Sequence, residues 1–135
     1  MKKTTSLTTV HIKDLVVRMI IGTRPEERLH PHEVVLNIAF DYDGALASQT
    51  DALGHAIDYG ALHDRIVREV ALTRFSLLER LAAFVLDLIM EDSRIVAATV
   101  VIDKSRIFED VRSVAVEMSV NRGDGPRRKS SVRCY

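Results

Sequence analysis

The hydrophobic period of this chain changes twice, and the order of the changes limits the folds open to it. In "EVVLNIAFDYD" (33–43), Val34, Leu36, Ile38, Phe40 and Tyr42 alternate with Glu33, Asn37 and Asp41. That is the pattern of a strand with one buried face. Before it, "VHIKDLVVRMII" is rich in β-branched residues, and the rougher alternation of Leu15, Val17, Met19 and Ile21 predicts a strand ending at Gly22. From about Tyr59 the period lengthens. Leu62, Ile66 and Val70 then form one stripe, with His63, Asp64, Arg65, Arg68 and Glu69 elsewhere, which predicts an amphipathic helix with Asp58 as N-cap. A second helix is expected from Ser76, turning Leu77, Leu81, Phe84, Val85 and Leu88 to the core. "IVAATVVIDK" and "RSVAVEMSV" return to strand composition, the latter alternating Val114, Val116, Met118 and Val120.

Strand, strand, helix, helix, strand, strand groups like elements instead of alternating them. The order ββααββ predicts an α+β domain: a four-stranded antiparallel sheet with two helices on one face. Such a sheet has two open edges, which must be blunted or paired, so a homo-oligomer built through the sheet is expected. With 135 residues there is room for one domain, read as residues 1–120. Residues 121–135, "NRGDGPRRKSSVRCY", hold five basic groups against Asp124, a formal +4 that leaves −4 for the rest of a chain of zero net charge. They read as a flexible, solvated basic tail, with contact to RNA or a phosphorylated ligand as the less favoured use. Cys134 is the only cysteine, so neither a disulfide framework nor a cysteine-based metal site is expected. "MKKTTSLTTVHIKD" lacks the apolar run of a signal peptide, and no segment has the uninterrupted apolar length of a membrane span. A cytoplasmic protein with no membrane association is expected.

Each residue with usable chemistry also has an ordinary structural explanation. His30 and His32 share a side of an extended segment, but two imidazoles fall short of a zinc site, and loop polarity accounts for them. Lys104 ends a buried strand and could snorkel from it; Tyr59 could pack at a helix start with its hydroxyl in water; Glu27, in the charged loop "RPEERLHPHE", could be solvated. Ser76 and Glu79 have the S-x-x-E spacing of a capping box, which would make Glu79 structural. The same spacing sets a carboxylate beside the free N–H groups of a helix N-terminus, where both can hold a polar ligand. There is no internal repeat and no glycine-rich nucleotide motif.

Taken together and in register, "IKDL", "IIGTRPEE", "AIDYGALHDRIV", "RFSLLERLAAFVLDLI" and "VVIDK" resemble the dihydroneopterin aldolases and their close branch, the dihydroneopterin triphosphate 2′-epimerases, from about Val10 to Ser119. "RFSLLERL" and "IDK" are closer to the epimerase branch. Two departures count against aldolase product release as the main outcome: "SRIFEDVRS" follows the lysine where many aldolases have a Pro/Gly-rich stretch with His, and Ile21 stands at a position, variable within the family, where many have His.

The resemblance implies the tunnelling fold, with sheets joined into a ring and the oligomer a tetramer or octamer, and a pterin as substrate bound between subunits. It implies that Glu79 binds the amino-pyrimidinone N–H groups while the Leu78 backbone N–H meets the ring carbonyl, with Ser76 left as the cap. It also implies that Lys104 moves protons without forming an imine, that Tyr59 stands beside the reacting side chain, and that Glu27 places a catalytic water. No metal and no organic cofactor are implied. The expected reaction is retro-aldol cleavage of the 7,8-dihydroneopterin side chain to 6-hydroxymethyl-7,8-dihydropterin and glycolaldehyde, with 2′-epimerisation through the same intermediate, in folate or pterin biosynthesis. A dedicated triphosphate epimerase is the first alternative. A non-catalytic pterin or purine binder is the second.

Overall fold

The computed structural model describes residues 5–123. Its antiparallel sheet has the order β1-β2-β3-β4, formed by Leu7–Met19, His32–Asp43, Ala97–Ser105 and Ser113–Asn121. A short helix α1 (Ala45–Thr50) precedes the two longer helices, α2 (Tyr59–Ala71) and α3 (Leu78–Met90). Packing of α2 against β1, and of α3 against β3 and β4, covers one face of the sheet. This is the expected α+β arrangement. The additional helix α1 spans too few residues for a period to show in "ALASQT".

The core follows the alternation in β2: Val34, Leu36, Ile38, Phe40 and Tyr42 are all buried. Ile66 and Val70 of α2 and Leu81, Val85 and Leu88 of α3 meet them, while Leu62 and Phe84 are partly buried against the same cluster. Phe84 also takes the ring of Phe75 edge-on at 5.4 Å.

β1 begins earlier than its alternation suggests and ends at Met19, short of Gly22. A bulge obscures the start. Ile12 pairs with Ile38 and Leu15 with Leu36, so three steps on β1 oppose two on β2. Asp14 absorbs the extra residue at φ +56°, donating its N–H to Asn37 Oδ1 at 2.9 Å. Core contacts therefore shift from the even positions Val10 and Ile12 to the odd positions Leu15 and Val17, which breaks a strict period of two.

The expected basic tail lies outside the described residues from residue 124 onward. Of its first residues, Asn121 closes β4, and Arg122 donates to the carbonyls of Met90 (2.6 Å) and Ile95 (3.0 Å), meeting carbonyls at and beyond the end of α3. Among the described residues, no helix is long and apolar enough to cross a membrane.

Asp58 is the N-cap of α2, as its position suggests, and its side chain accepts the Ala61 N–H at 3.0 Å. Asp58→Ala should therefore cost about 1 kcal/mol of stability. Urea unfolding checks this, and an unchanged midpoint would remove the cap from the account of how α2 starts.

Candidate active site

Lys104 is the next-to-last residue of β3 and only 7% exposed. A buried ammonium needs oxygen partners, because desolvating an unpaired charge costs several kcal/mol. Two are supplied from one stretch of chain. Nζ donates to the Ile21 carbonyl at 3.0 Å and to Glu27 Oε2 at 2.5 Å. Antiparallel pairing of Asp103 with Val35 sets the end of β3 beside the start of β2, and hence under the connection that leads into it.

That connection is shaped to turn Glu27 inward. Gly22 adopts φ +133°, which L side chains rarely take, and a Cβ there would stand 2.6 Å from both carboxylate oxygens of Glu27. The chain then forms a 3-10 turn over Pro25–Arg28, with proline in its first positions. Glu27 Oε1 accepts the Arg24 N–H at 3.1 Å while Oε2 takes Lys104, so both oxygens are engaged. "RPEER" is thus an ordered turn, and not merely a charged loop. The hydrogen bond from Lys104 is the main cause holding the Glu27 carboxyl below the ordinary carboxylate range; the Arg24 N–H adds to it and burial opposes it.

The opposite wall of the cleft is the start of α3. The N-cap is Leu77, extended at φ −114° and without a side-chain cap. Ser76 is therefore not the cap, the S-x-x-E capping box does not form, and the helix begins two residues later than its sequence suggests. Leu77, expected in the core, is 54% exposed because it precedes the first helical turn. Glu79 is exposed on that first turn and makes no hydrogen bond or ion pair among the described residues. The Leu78 N–H beside it belongs to the first turn, whose amides have no intrahelical acceptor.

Ile21, Gly22, Glu27, Leu78, Glu79 and Lys104 line one cleft of about 890 Å³, ample for a small molecule. Four of the five side chains or backbone groups singled out in the sequence thus converge. Tyr59, the first residue of α2, does not: it is 63% exposed and lines no part of the cleft. The sequence reading passed over Arg18, Arg24 and Arg106, which also line it. Arg106 has φ +63°, so the chain turns sharply as it leaves β3 beyond Lys104. Nothing in the spacing of these arginines signalled a shared wall.

His32 opens β2 at the same cleft, with Nε2 buried and no hydrogen-bond partner. His30 is exposed. Among the described residues, no group of three or more His, Cys, Asp or Glu could hold a metal ion.

Because the folded-state pKa of Glu27 is depressed, its pairing stabilises the protein above the unfolded-state pKa and is lost as pH falls through the folded one. The melting-temperature advantage of the native chain over Glu27→Gln should be full near pH 7 and shrink as pH falls below about 4.5. An advantage that stayed constant down to pH 3 would contradict the pairing.

Comparison with known proteins agrees with this geometry. The family model described as "FolB: Dihydroneopterin aldolase" matches residues 10–119. Over 113 residues the chain is 34% identical to the dihydroneopterin triphosphate 2′-epimerase of Pseudomonas aeruginosa, covering 84% of this chain and 92% of the relative. The protein of that name from Escherichia coli K12 is 32% identical over 113 residues, covering 84% and 94% of the two chains. The fold matches the crystal structure of E. coli dihydroneopterin aldolase in complex with neopterin with a TM-score of 0.80, at 23% identity and over 84% of this chain and 99% of that one. Sequence, fold and the convergence of Glu27, Lys104 and the start of α3 in one cleft agree: this chain belongs to the dihydroneopterin aldolase (FolB) family.

Proposed function

We propose that this chain is an enzyme acting on dihydroneopterin or its triphosphate, breaking and remaking the bond between C1′ and C2′ of the side chain. The observation that carries the reading is one cleft with two chemically distinct walls: a buried ammonium paired with a partly buried carboxylate on one, and a free carboxylate beside free helix N–H groups on the other. Such walls suit a substrate with a flat polar ring at one end and a hydroxylated chain at the other.

In this reading Glu79 accepts two parallel hydrogen bonds from the adjacent N–H donors of the amino-pyrimidinone ring, the geometry a carboxylate suits. The Leu78 N–H meets the ring carbonyl. Lys104 and Glu27 manage protons at the side chain, with Glu27 placing a water that receives the 2′-hydroxyl proton. Loss of that proton turns the O–H electrons into a carbonyl at C2′. The electrons of the C1′–C2′ bond pass into the dihydropterin ring, which is itself the electron sink. The two-carbon aldehyde and an enol-like pterin result, so the protein needs only positioned acid–base groups.

Protonation at C1′ gives the aldolase product. Return of the aldehyde with its other face gives the 2′-epimer. Epimerisation of the triphosphate is the reading favoured by the names of the relatives and by the chain's own Arg18, Arg24 and Arg106 in the cleft wall, cations suited to a polyphosphate. Tyr59 enters from a neighbouring subunit. Supporting this are its exposure away from its own cleft, and the positions of β1 and β4 at the two outer edges of the sheet.

The first test is to incubate the protein with 7,8-dihydroneopterin and, separately, its triphosphate, and to resolve the products by chromatography. A 2′-epimer from the triphosphate is expected to predominate, and absence of turnover with both would end the enzymatic reading. Glu79→Gln should weaken neopterin binding at least about 100-fold, since it removes charge-assisted hydrogen bonds worth about 1.5–3 kcal/mol each, and should leave the melting temperature nearly unchanged. Lys104→Ala should do the reverse for function, with neopterin affinity retained and turnover reduced at least about 100-fold; calorimetric binding beside the product assay separates the two.

A further inference from the structure

The two walls of the cleft come from segments about fifty residues apart in sequence, and one side chain joins them. Arg28, the last residue of the 3-10 turn that carries Glu27, sends its guanidinium across the connection. Nη1 donates to the Phe75 carbonyl at 2.9 Å and to the Gly22 carbonyl at 3.2 Å, and Nη2 donates to the Arg74 carbonyl at 2.7 Å. Arg74 returns a longer contact, its Nη2 lying 3.4 Å from the Arg28 carbonyl. All three acceptors of Arg28 are backbone carbonyls. Two lie just before α3, and the third belongs to the glycine on which the Glu27 carboxylate rests.

We infer that Arg28 is a positioning residue for the reaction, fixing the acid–base pair of Glu27 and Lys104 against the ring-binding start of α3 through these three carbonyls. The inference rests on the function proposed above. Its logic is a difference in anchoring. Leu81, Ala82, Val85 and Leu86 bury α3 in the core, so its first turn keeps its place when the clamp is removed. The 3-10 turn has no buried residue, and apart from the Arg28 side chain its side-chain ties are those of Glu27 and the longer contact from Arg74 to the Arg28 carbonyl. Loss of Arg28 therefore frees the Glu27 side of the cleft and spares the Glu79 side. A planar fork with several donors can hold carbonyls on both segments at once, whereas a lysine is a single point charge. Misplacement of a reacting group by about 1 Å can cost about 100-fold in rate.

Arg28→Ala and Arg28→Lys, each assayed as the full chain with wild type alongside, test this. In Arg28→Ala, kcat should fall at least about 10-fold while the Kd for neopterin changes less than about 3-fold; Arg28→Lys should fall between it and wild type. Should Arg28→Ala not fold, Arg28→Lys carries the same kcat-against-Kd split. Either kcat within 2-fold of wild type in Arg28→Ala (or in Arg28→Lys, should the alanine variant not fold), or kcat and Kd deteriorating together, would overturn the inference. A measurement without substrate separates this from failure of the proposed function. Carbon-13 NMR titration of the Glu27 carboxyl should show its midpoint moving up toward the ordinary carboxylate range in the variants. If wild type proves inactive on both pterins, the functional reading fails and the titration still decides, an unmoved midpoint overturning the positioning role.

Discussion

A lysine ammonium that is 7% exposed at the end of a central strand has to be met by oxygen, and much of the architecture around the cleft follows from meeting it. The Ile21 carbonyl supplies one oxygen and the Glu27 carboxylate another. To bring that carboxylate in, the chain leaves β1, passes through a glycine at φ +133°, and forms a proline-led 3-10 turn before β2 begins. Breaking a buried ion pair typically costs about 3–5 kcal/mol, and the partial exposure of Glu27 lowers that figure here. The pair is thus a structural tie between β3 and the connection after β1, and it is the pair to which the proposed function assigns the proton chemistry.

The contrast between the two carboxylates of the cleft sorts their uses. Both oxygens of Glu27 are occupied, and its carboxyl is held below the ordinary range by Lys104. Its ionised form is favoured by that pairing, and its two hydrogen bonds hold it in one place. Glu79 has no partner among the described residues and sits at the positive end of a helix dipole, beside unpaired N–H groups. The proposed function uses this contrast, giving the occupied carboxylate to the acid–base pair and the free one to a ligand edge with both donors and acceptors.

Much of this was legible in the residues, and the parts that were not have identifiable causes. The alternation in β2 and the stripe of Leu62, Ile66 and Val70 located their elements because one-sided burial imposes a period on sequence. The start of β1 was obscured because a single extra residue at Asp14 changes which parity faces the core. Ser76 looked like a cap by spacing alone, yet the helix starts from an extended Leu77, and spacing cannot report which backbone conformation precedes a helix. Glu27, Leu78, Glu79 and Lys104 were singled out by resemblance, but their meeting depends on contacts across the chain that no local pattern encodes. Arg28 was invisible for the same reason: its three acceptors are carbonyls, which every residue possesses.

Gly22 carries the last consequence. It has no functional group, yet the volume a methyl group would occupy there is already filled by the Glu27 carboxylate. The position therefore acts as a mould whose emptiness gives the Glu27–Lys104 pair its shape. Under the proposed function, a saturation scan scored only on loss of turnover would rank Gly22 with Lys104, as though a hydrogen atom were a reagent. Separating the two requires chemical rescue: a small exogenous amine can replace a missing ammonium, and nothing added to solution can restore a space.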